Sequence, residues 1–147
     1  MDMLSPEGKV YQASTYAGNP ISVSAGISSV KTMNKLKSKL YPRLEKNCTK
    51  LVSAIHDLAS DMKIPHEINS ISSMFQIFFT GEPVVDYSSA KKSDMAKFKK
   101  LFEALLQNGI FIAPSQFETV FLSYAHSKDD ITETISAYEK ALRAVKQ

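Results

Sequence analysis

The sequence predicts an α+β fold in which helices cover a small antiparallel sheet. From residue 36 to residue 62, apolar residues recur at spacings of three, four and seven, which is typical of an amphipathic helix. At residues 66–80 the period changes to two, and aromatic and β-branched residues become frequent, which is typical of strands. Helical spacing returns twice after residue 93. Helices therefore flank the strands on both sides in sequence and can cover one face of their sheet.

The composition indicates a single soluble protein with a hydrophobic core. The chain has 147 residues, of which 44% are hydrophobic, and this is enough to bury a core. It contains no apolar run long enough to cross a membrane, and its start lacks the basic and apolar stretches of a signal peptide. The one cysteine, Cys48, can form no internal disulfide, which fits a reducing compartment. We therefore expect a cytoplasmic protein that does not insert into membranes.

The first residues predict a strand, a loop and a helix. Residues 9–13 (KVYQA) have the composition of a short strand. Asn19 is a favoured N-cap and Pro20 suits the first helical position, so a helix is expected from about Pro20 to residue 33. The hydroxyl-bearing loop before it lies near the amide groups of the helix end, a combination that suits a phosphate. These residues have little to pack against, and they resemble the end of a larger domain.

The second helical segment carries one apolar stripe and ends near Pro65. Pro42 falls inside it and predicts a kink or a break near Tyr41, because proline donates no backbone hydrogen bond. Cys48 lies on the stripe and is expected to be a small buried residue. The members of the stripe are Leu36, Leu40, Leu44, Leu51, Ile55, Leu58 and Met62.

Four strands and two further helices complete the prediction. Strands are expected at residues 66–71, 74–80, 110–113 and 119–123, and the first two form either a hairpin or one bulged strand. Ser93 is expected to cap a helix that Gly109 ends, and Ser127 is expected to cap the last helix. The inner face of the first of these helices is predicted to hold Met95, Phe98, Leu101, Phe102 and Leu105. The last helix is predicted to bury Ile131, Ile135, Tyr138, Leu142 and Val145.

The residues alone reveal no catalytic set. The three histidines, His56, His66 and His126, are far apart, and no spacing of cysteine and histidine predicts a metal site. No nucleophile elbow, P-loop or dinucleotide fingerprint occurs. A group of lysines at residues 91–100 is better explained as a solvated helix face than as a nucleic-acid site. Two loops stay unexplained at this level: residues 14–18 before the first helix, and residues 113–118 (APSQFE) between two strands.

Four segments, two of which contain these loops, resemble a known family. GKVYQASTYAGNP (8–20), SSMFQIFFT (72–80), NGIFIAPSQFE (108–118) and FLSYAHS (121–127) are similar, in this order, to the C-terminal part of the glutamate-1-semialdehyde 2,1-aminomutase family. This family belongs to the class III aminotransferase group of pyridoxal-phosphate enzymes. The resemblance implies a fold-type I enzyme whose large cofactor domain ends within residues 1–33 and whose small C-terminal domain spans residues 34–147. It also implies a homodimer that makes 5-aminolevulinate for tetrapyrrole synthesis and binds no nucleic acid.

The resemblance assigns roles to three residues. Thr15 matches the threonine that binds the phosphate of pyridoxal 5'-phosphate in the neighbouring subunit. Ser14 stands beside it where the family has glycine, so it either weakens the site or adds a second hydroxyl. Glu118 matches the last residue of the S-Q-F-E motif, and a carboxylate there would attract the amino group of glutamate 1-semialdehyde rather than its carboxylate.

The resemblance also implies that this chain alone is inactive. The family's Schiff-base lysine precedes the matched segments, so no catalytic residue is assigned in this sequence. Three hypotheses remain open: part of the aminomutase, part of another class III aminotransferase, or a non-catalytic interaction module such as a basic nucleic-acid binder. The APSQFE segment favours the first.

Overall fold

The computed structural model describes residues 1–146, and their contacts divide them into two compact units. The first unit is Met1–Ser38 and the second begins at Lys39. Helix α1 (Pro20–Asp61) runs through the boundary. The second unit also contains strands β1 (Glu67–Ile71), β2 (Met74–Phe78) and β3 (Val120–Phe121), and helices α2 (Tyr87–Ala90), α3 (Met95–Gln107) and α4 (Lys128–Lys146). Within residues 1–146, no helix has both the length and the apolarity needed to cross a bilayer.

The first unit lacks the predicted strand at residues 9–13. One isolated bridge joins Leu4 to Val10, with the Ser5 N–H donating to the Val10 carbonyl at 2.9 Å, and residues 11–14 are irregular. A strand needs a neighbouring strand for its backbone groups, and a single bridge does not provide one. The prediction of a strand at residues 9–13, made from composition, is therefore wrong.

Helix α1 begins at Pro20, as predicted, but it does not break at Pro42. The proline lies inside one continuous helix of 42 residues. Proline cannot donate to the carbonyl of Ser38, four residues earlier, but both residues are exposed, so water can bind that carbonyl. The helix ends in a Schellman motif: Lys63 has a φ of 58°, and the Ile64 N–H donates to the Ala59 carbonyl at 2.9 Å. From Leu40 onward its buried stripe includes Cys48, as predicted, and burial raises the pKa of that thiol.

The three strands form one antiparallel sheet in the order β1-β2-β3. Strands β1 and β2 are a hairpin in which Ile71 pairs with Met74, and the turn between them places Ser72 at a φ of 53°. Phe75–Phe78 of β2 are buried, so the central strand is covered on both faces. Residues 110–113 form no strand and β3 has only two residues. Both segments still contribute buried side chains, Ile112 and Leu122.

Helices α3 and α4 pack together in the second unit. Helix α3 starts one residue later than predicted, since the side chain of Asp94, and not of Ser93, accepts the Lys97 N–H at 3.0 Å. Gly109 ends it at a φ of 82°, as predicted. Met95 was expected to face inward but is 63% exposed, and it is the first residue of the helix. The short helix α2 was not predicted; it is a single turn capped by Asp86.

The cap of α4 predicts a pH-dependent contribution to stability. Hydrogen bonds from the Ser127 backbone N–H and hydroxyl hold the pKa of Asp130 below its ordinary value of 3.8. A lowered pKa means that the charged carboxylate stabilises the fold above 3.8 and that this stabilisation disappears as the pH falls through the lower folded-state value. We expect Asp130→Ala to have a lower urea midpoint than the native chain at neutral pH, and the difference to shrink in acid.

The neighbouring acid provides the matched control. Asp129 lies in the same first turn of α4, is exposed, and has no capping bond to Ser127. Asp129→Ala should therefore shift the midpoint much less than Asp130→Ala at neutral pH. A gap between the two variants that is equally large in acid would contradict the role of the charged cap.

Candidate functional site

The loop before α1 is a compact double turn that exposes hydroxyl groups. The Ala17 N–H donates to the Ser14 carbonyl at 3.0 Å, and the Asn19 N–H donates to the Tyr16 carbonyl at 3.1 Å. Gly18, at a φ of 73°, supplies the left-handed residue that the second turn requires. Thr15 occupies the first central position of the first turn and is exposed. Its hydroxyl and N–H are thus presented by a backbone that is already folded.

The N-terminus of α1 has fewer free N–H groups for an anion than the sequence predicts. The Asn19 side-chain oxygen accepts the N–H groups of Ile21 and Ser22 at 3.0 and 3.1 Å, and Pro20 has none. The helix is therefore capped from within the chain. An anion at this loop would depend on Thr15 and Ser14 more than on the helix end.

Ser14 causes no backbone strain in this loop. Among residues 1–146, the non-glycine residues with a positive φ are Lys63 and Ser72. Ser14 therefore does not occupy a conformation that requires glycine. Its hydroxyl lies 3.4 Å from the Tyr16 N–H, beside Thr15. Serine at this position adds a hydroxyl without needing a left-handed backbone.

The second candidate loop, residues 113–118, is anchored by buried amide groups. Gln116 is 3% exposed, and its Nε2 donates to the Ala90 carbonyl at 3.3 Å. Gln76, on β2, is also buried, and its Nε2 donates to the Gln116 carbonyl at 2.9 Å. Two side chains from distant parts of the sequence thus fix the loop to the sheet and to α2.

The same loop turns its last residues outward. The Glu118 N–H donates to the Ser115 carbonyl at 3.1 Å, and the Phe117 N–H lies 3.2 Å from the Ser115 hydroxyl. Phe117 packs against Tyr87 of α2, with 5.4 Å between ring centroids, on the wall of an open groove of about 480 Å³. The carboxylate of Glu118 is exposed. A charged group is therefore presented to solvent on a loop whose base is rigidly held.

The predicted site residues fall in separate units of the chain. Ser14 and Thr15 belong to the unit that ends at Ser38, and Glu118 belongs to the unit that begins at Lys39. Each loop stands as a local site. Gln76 was not singled out from the sequence, and no local signal could have identified it, because its partner lies 40 residues away. His126 stabilises the turn before α4, where its Nδ1 accepts the Ser123 N–H at 3.0 Å.

The sequence of the chain is similar along nearly its whole length to proteins of one name. It is 61% identical over 146 residues to glutamate-1-semialdehyde 2,1-aminomutase of Nitrosopumilus maritimus, which covers 99% of this chain and 34% of that protein. A protein of the same name from Cenarchaeum symbiosum is 51% identical over 99% of this chain and 35% of its own length. No family model matches the chain. The resemblance is confirmed, and the chain spans about a third of the length of these curated relatives.

Solved structures confirm the predicted fold class. An ω-transaminase from Sphaerobacter thermophilus superposes with a TM-score of 0.75 at 21% identity, over 94% of this chain and 31% of that one. A transaminase with pyridoxal phosphate bound gives 0.74 at 24% identity, over 96% of this chain and 31% of its own. At this identity the likeness concerns the fold alone. The small antiparallel sheet with its helices is shared with about a third of each of these transaminases.

Proposed function

We propose that this chain is the C-terminal third of a glutamate-1-semialdehyde 2,1-aminomutase, which converts glutamate 1-semialdehyde to 5-aminolevulinate. The observation that carries the proposal is the 61% identity to a relative of that name across 99% of the chain. The activity belongs to the whole enzyme, a cytoplasmic homodimer, and the Schiff-base lysine lies in the two thirds of the relatives that this chain does not match. The chain by itself is inactive.

In this proposal, residues 1–33 are the end of the large domain and Thr15 binds the phosphate of pyridoxal 5'-phosphate. The exposed turn supports this role, because a hydroxyl and an N–H on a folded turn are short, preorganised donors for a phosphate. Ser14 supplies a second hydroxyl next to it. Because Asn19 already caps the N-terminus of α1, the loop and not the helix would bind the phosphate. The cofactor, when bound, acts as the electron sink of the reaction.

Glu118 would orient the substrate. An exposed carboxylate on an anchored loop attracts an ammonium group and repels a carboxylate, so it selects one of the two ways in which an amino acid aldehyde can enter. Gln116 and Gln76 hold the loop that carries it. The proposed division of labour is therefore cofactor binding by Thr15 and Ser14, and substrate orientation by Glu118.

A chimeric enzyme tests the proposal directly. The matching third of the Nitrosopumilus maritimus relative would be replaced by this chain, and 5-aminolevulinate formation and transamination with ordinary amino donors would be measured. We expect aminomutase activity. Thr15→Val should weaken cofactor affinity about tenfold or more, since a hydrogen bond to a charged group contributes about 1.5–3 kcal/mol. Glu118→Gln should raise the KM for the semialdehyde by a similar factor, for the same reason.

Two exposed positions supply matched controls. Thr49→Val and Glu82→Gln make the same chemical changes at exposed sites outside both loops, and both should leave cofactor affinity and KM unchanged. A folded chimera that only transaminates ordinary amino donors would identify a different class III aminotransferase. Equal effects of Thr15→Val and Thr49→Val would contradict the phosphate-binding role.

A further inference from the structure

Two histidines that the proposed function does not use meet on the surface of the second unit. His56 lies on α1 and is exposed; His66 lies just before β1 and is half-buried. The His66 Nε2 and the His56 Nδ1 are 2.9 Å apart, and their ring centroids are 4.9 Å apart. No local sequence pattern predicts this pair, because ten residues and the end of α1 separate His56 from His66.

The backbone fixes which nitrogen of His66 is free. Its Nδ1 lies 2.8 Å from the carbonyl oxygen of Ile64, which can only accept, so Nδ1 carries the proton. In the neutral ring, Nε2 then presents a lone pair toward His56. The Schellman motif at Lys63 holds the Ile64 carbonyl in place. A histidine whose second nitrogen donates to a backbone carbonyl is the arrangement that orients metal ligands in proteins.

The spacing of the two nitrogens suits cis coordination of one metal ion. Two imidazole nitrogens bound at about 2.0–2.1 Å and at about 90° lie about 2.9 Å apart, whereas tetrahedral angles place them about 3.3 Å apart. The observed 2.9 Å is the length of the hydrogen bond between the two rings, and it also matches this cis spacing, so binding of an ion does not require the rings to separate. Cu²⁺ binds nitrogen ligands most tightly among the divalent first-row ions. Asp57 and Glu67 line the same cavity of about 340 Å³, and their negative charges favour a cation.

We propose that His56 and His66 form a two-imidazole binding site for a divalent transition-metal ion, with Cu²⁺ preferred. The ion replaces the hydrogen bond between the two rings: it lies to one side of the line that joins the two nitrogens, and the exposed ring of His56 turns its Nδ1 toward it. The proton of His56 then moves to its Nε2, which the exposed side chain can turn to water, so binding needs no redox step. Within residues 1–146, no group of three or more such side chains is arranged for a metal, so water completes the coordination.

Copper titration of the native chain, with a competing chelator, tests the site. We expect one equivalent of Cu²⁺ to bind, with electron paramagnetic resonance showing two imidazole nitrogens. His56→Gln and His66→Gln should each lower the affinity at least about tenfold, the smallest loss that even outer-shell changes cause. His126→Gln is the matched control, since that ring serves the turn before α4, and it should bind copper like the native chain.

Nuclear magnetic resonance of the imidazole groups supplies a second test that needs no variant. Substoichiometric Cu²⁺ should broaden the ring signals of His56 and His66 together and leave those of His126 sharp. Equal broadening of all three rings, or an unchanged affinity in folded His56→Gln and His66→Gln, would overturn the proposal.

Discussion

Leu105→Ala is expected to lower the free energy of unfolding by about 3 kcal/mol. Leu105 is fully buried on the face of α3 that packs in the core. Truncation removes the transfer free energy of three buried carbon atoms and leaves a cavity that the surrounding side chains can fill only in part. Urea denaturation followed by far-ultraviolet circular dichroism measures the change.

The next residue in the chain is the control. Leu106 has the same side chain on the same helix but is 50% exposed. Leu106→Ala should cost under about 1 kcal/mol, as surface substitutions do. Both variants gain the same helix propensity, so the difference between them isolates burial. Equal losses from the two variants would mean that α3 faces the core with a different side than the structure shows.

The buried faces of the helices were the most predictable part of the fold. Leu101, Leu105 and Leu142 were placed inward from their spacing, and all three are fully buried. This succeeds because one helical period repeats the same face every few residues, so the signal is carried by many positions at once. It fails at the start of α3, where Met95 obeys the spacing but is mostly exposed.

Strands were predicted less well because a strand depends on a distant partner. Residues 74–78 pair with β1 along their whole length, and Met74 and Phe75 also pair with β3, so β2 is the central strand. Residues 9–13 and 110–113 have similar composition but no partner ladder in the structure. Composition records only that a segment tolerates an extended backbone. Whether another strand lies beside it is decided by tertiary structure.

In the candidate site, too, features that depend on adjacent residues were predictable, and contacts between residues far apart in the sequence were not. The N-cap at Asn19 and the turn at Gly18 could be read from adjacent residues, and the structure contains both. The roles of Thr15 and Glu118 came from motif resemblance and stay predictions. The anchoring of Gln116 by Gln76, and the contact of His56 with His66, join residues that no local pattern connects.

Gln116→Ala is expected to have the second largest effect, about 1–3 kcal/mol of lost stability together with a loosened Glu118 loop. The substitution removes the hydrogen bond from Gln116 to the Ala90 carbonyl, which keeps its bond from the Ser93 N–H, and it opens a space beneath the loop. The bond from Gln76 goes to the backbone of Gln116 and survives, so the loop should stay near its place but open more often. Hydrogen exchange of the Glu118 N–H, which is bonded to the Ser115 carbonyl, should accelerate.

A control variant and the exchange rate of the Glu118 N–H together distinguish a loop anchored by Gln116 from a side chain that only fills space. Gln107 is exposed at the end of α3, and Gln107→Ala should change neither stability nor the exchange of Glu118 by much. If Gln116→Ala lowered stability but left the exchange of Glu118 unchanged, Gln116 would only fill space, and the loop would owe its position to Phe117 against Tyr87. If exchange accelerates, the buried amide pair is what keeps a charged side chain at a fixed place on a solvent-exposed loop, which any orienting role of Glu118 requires.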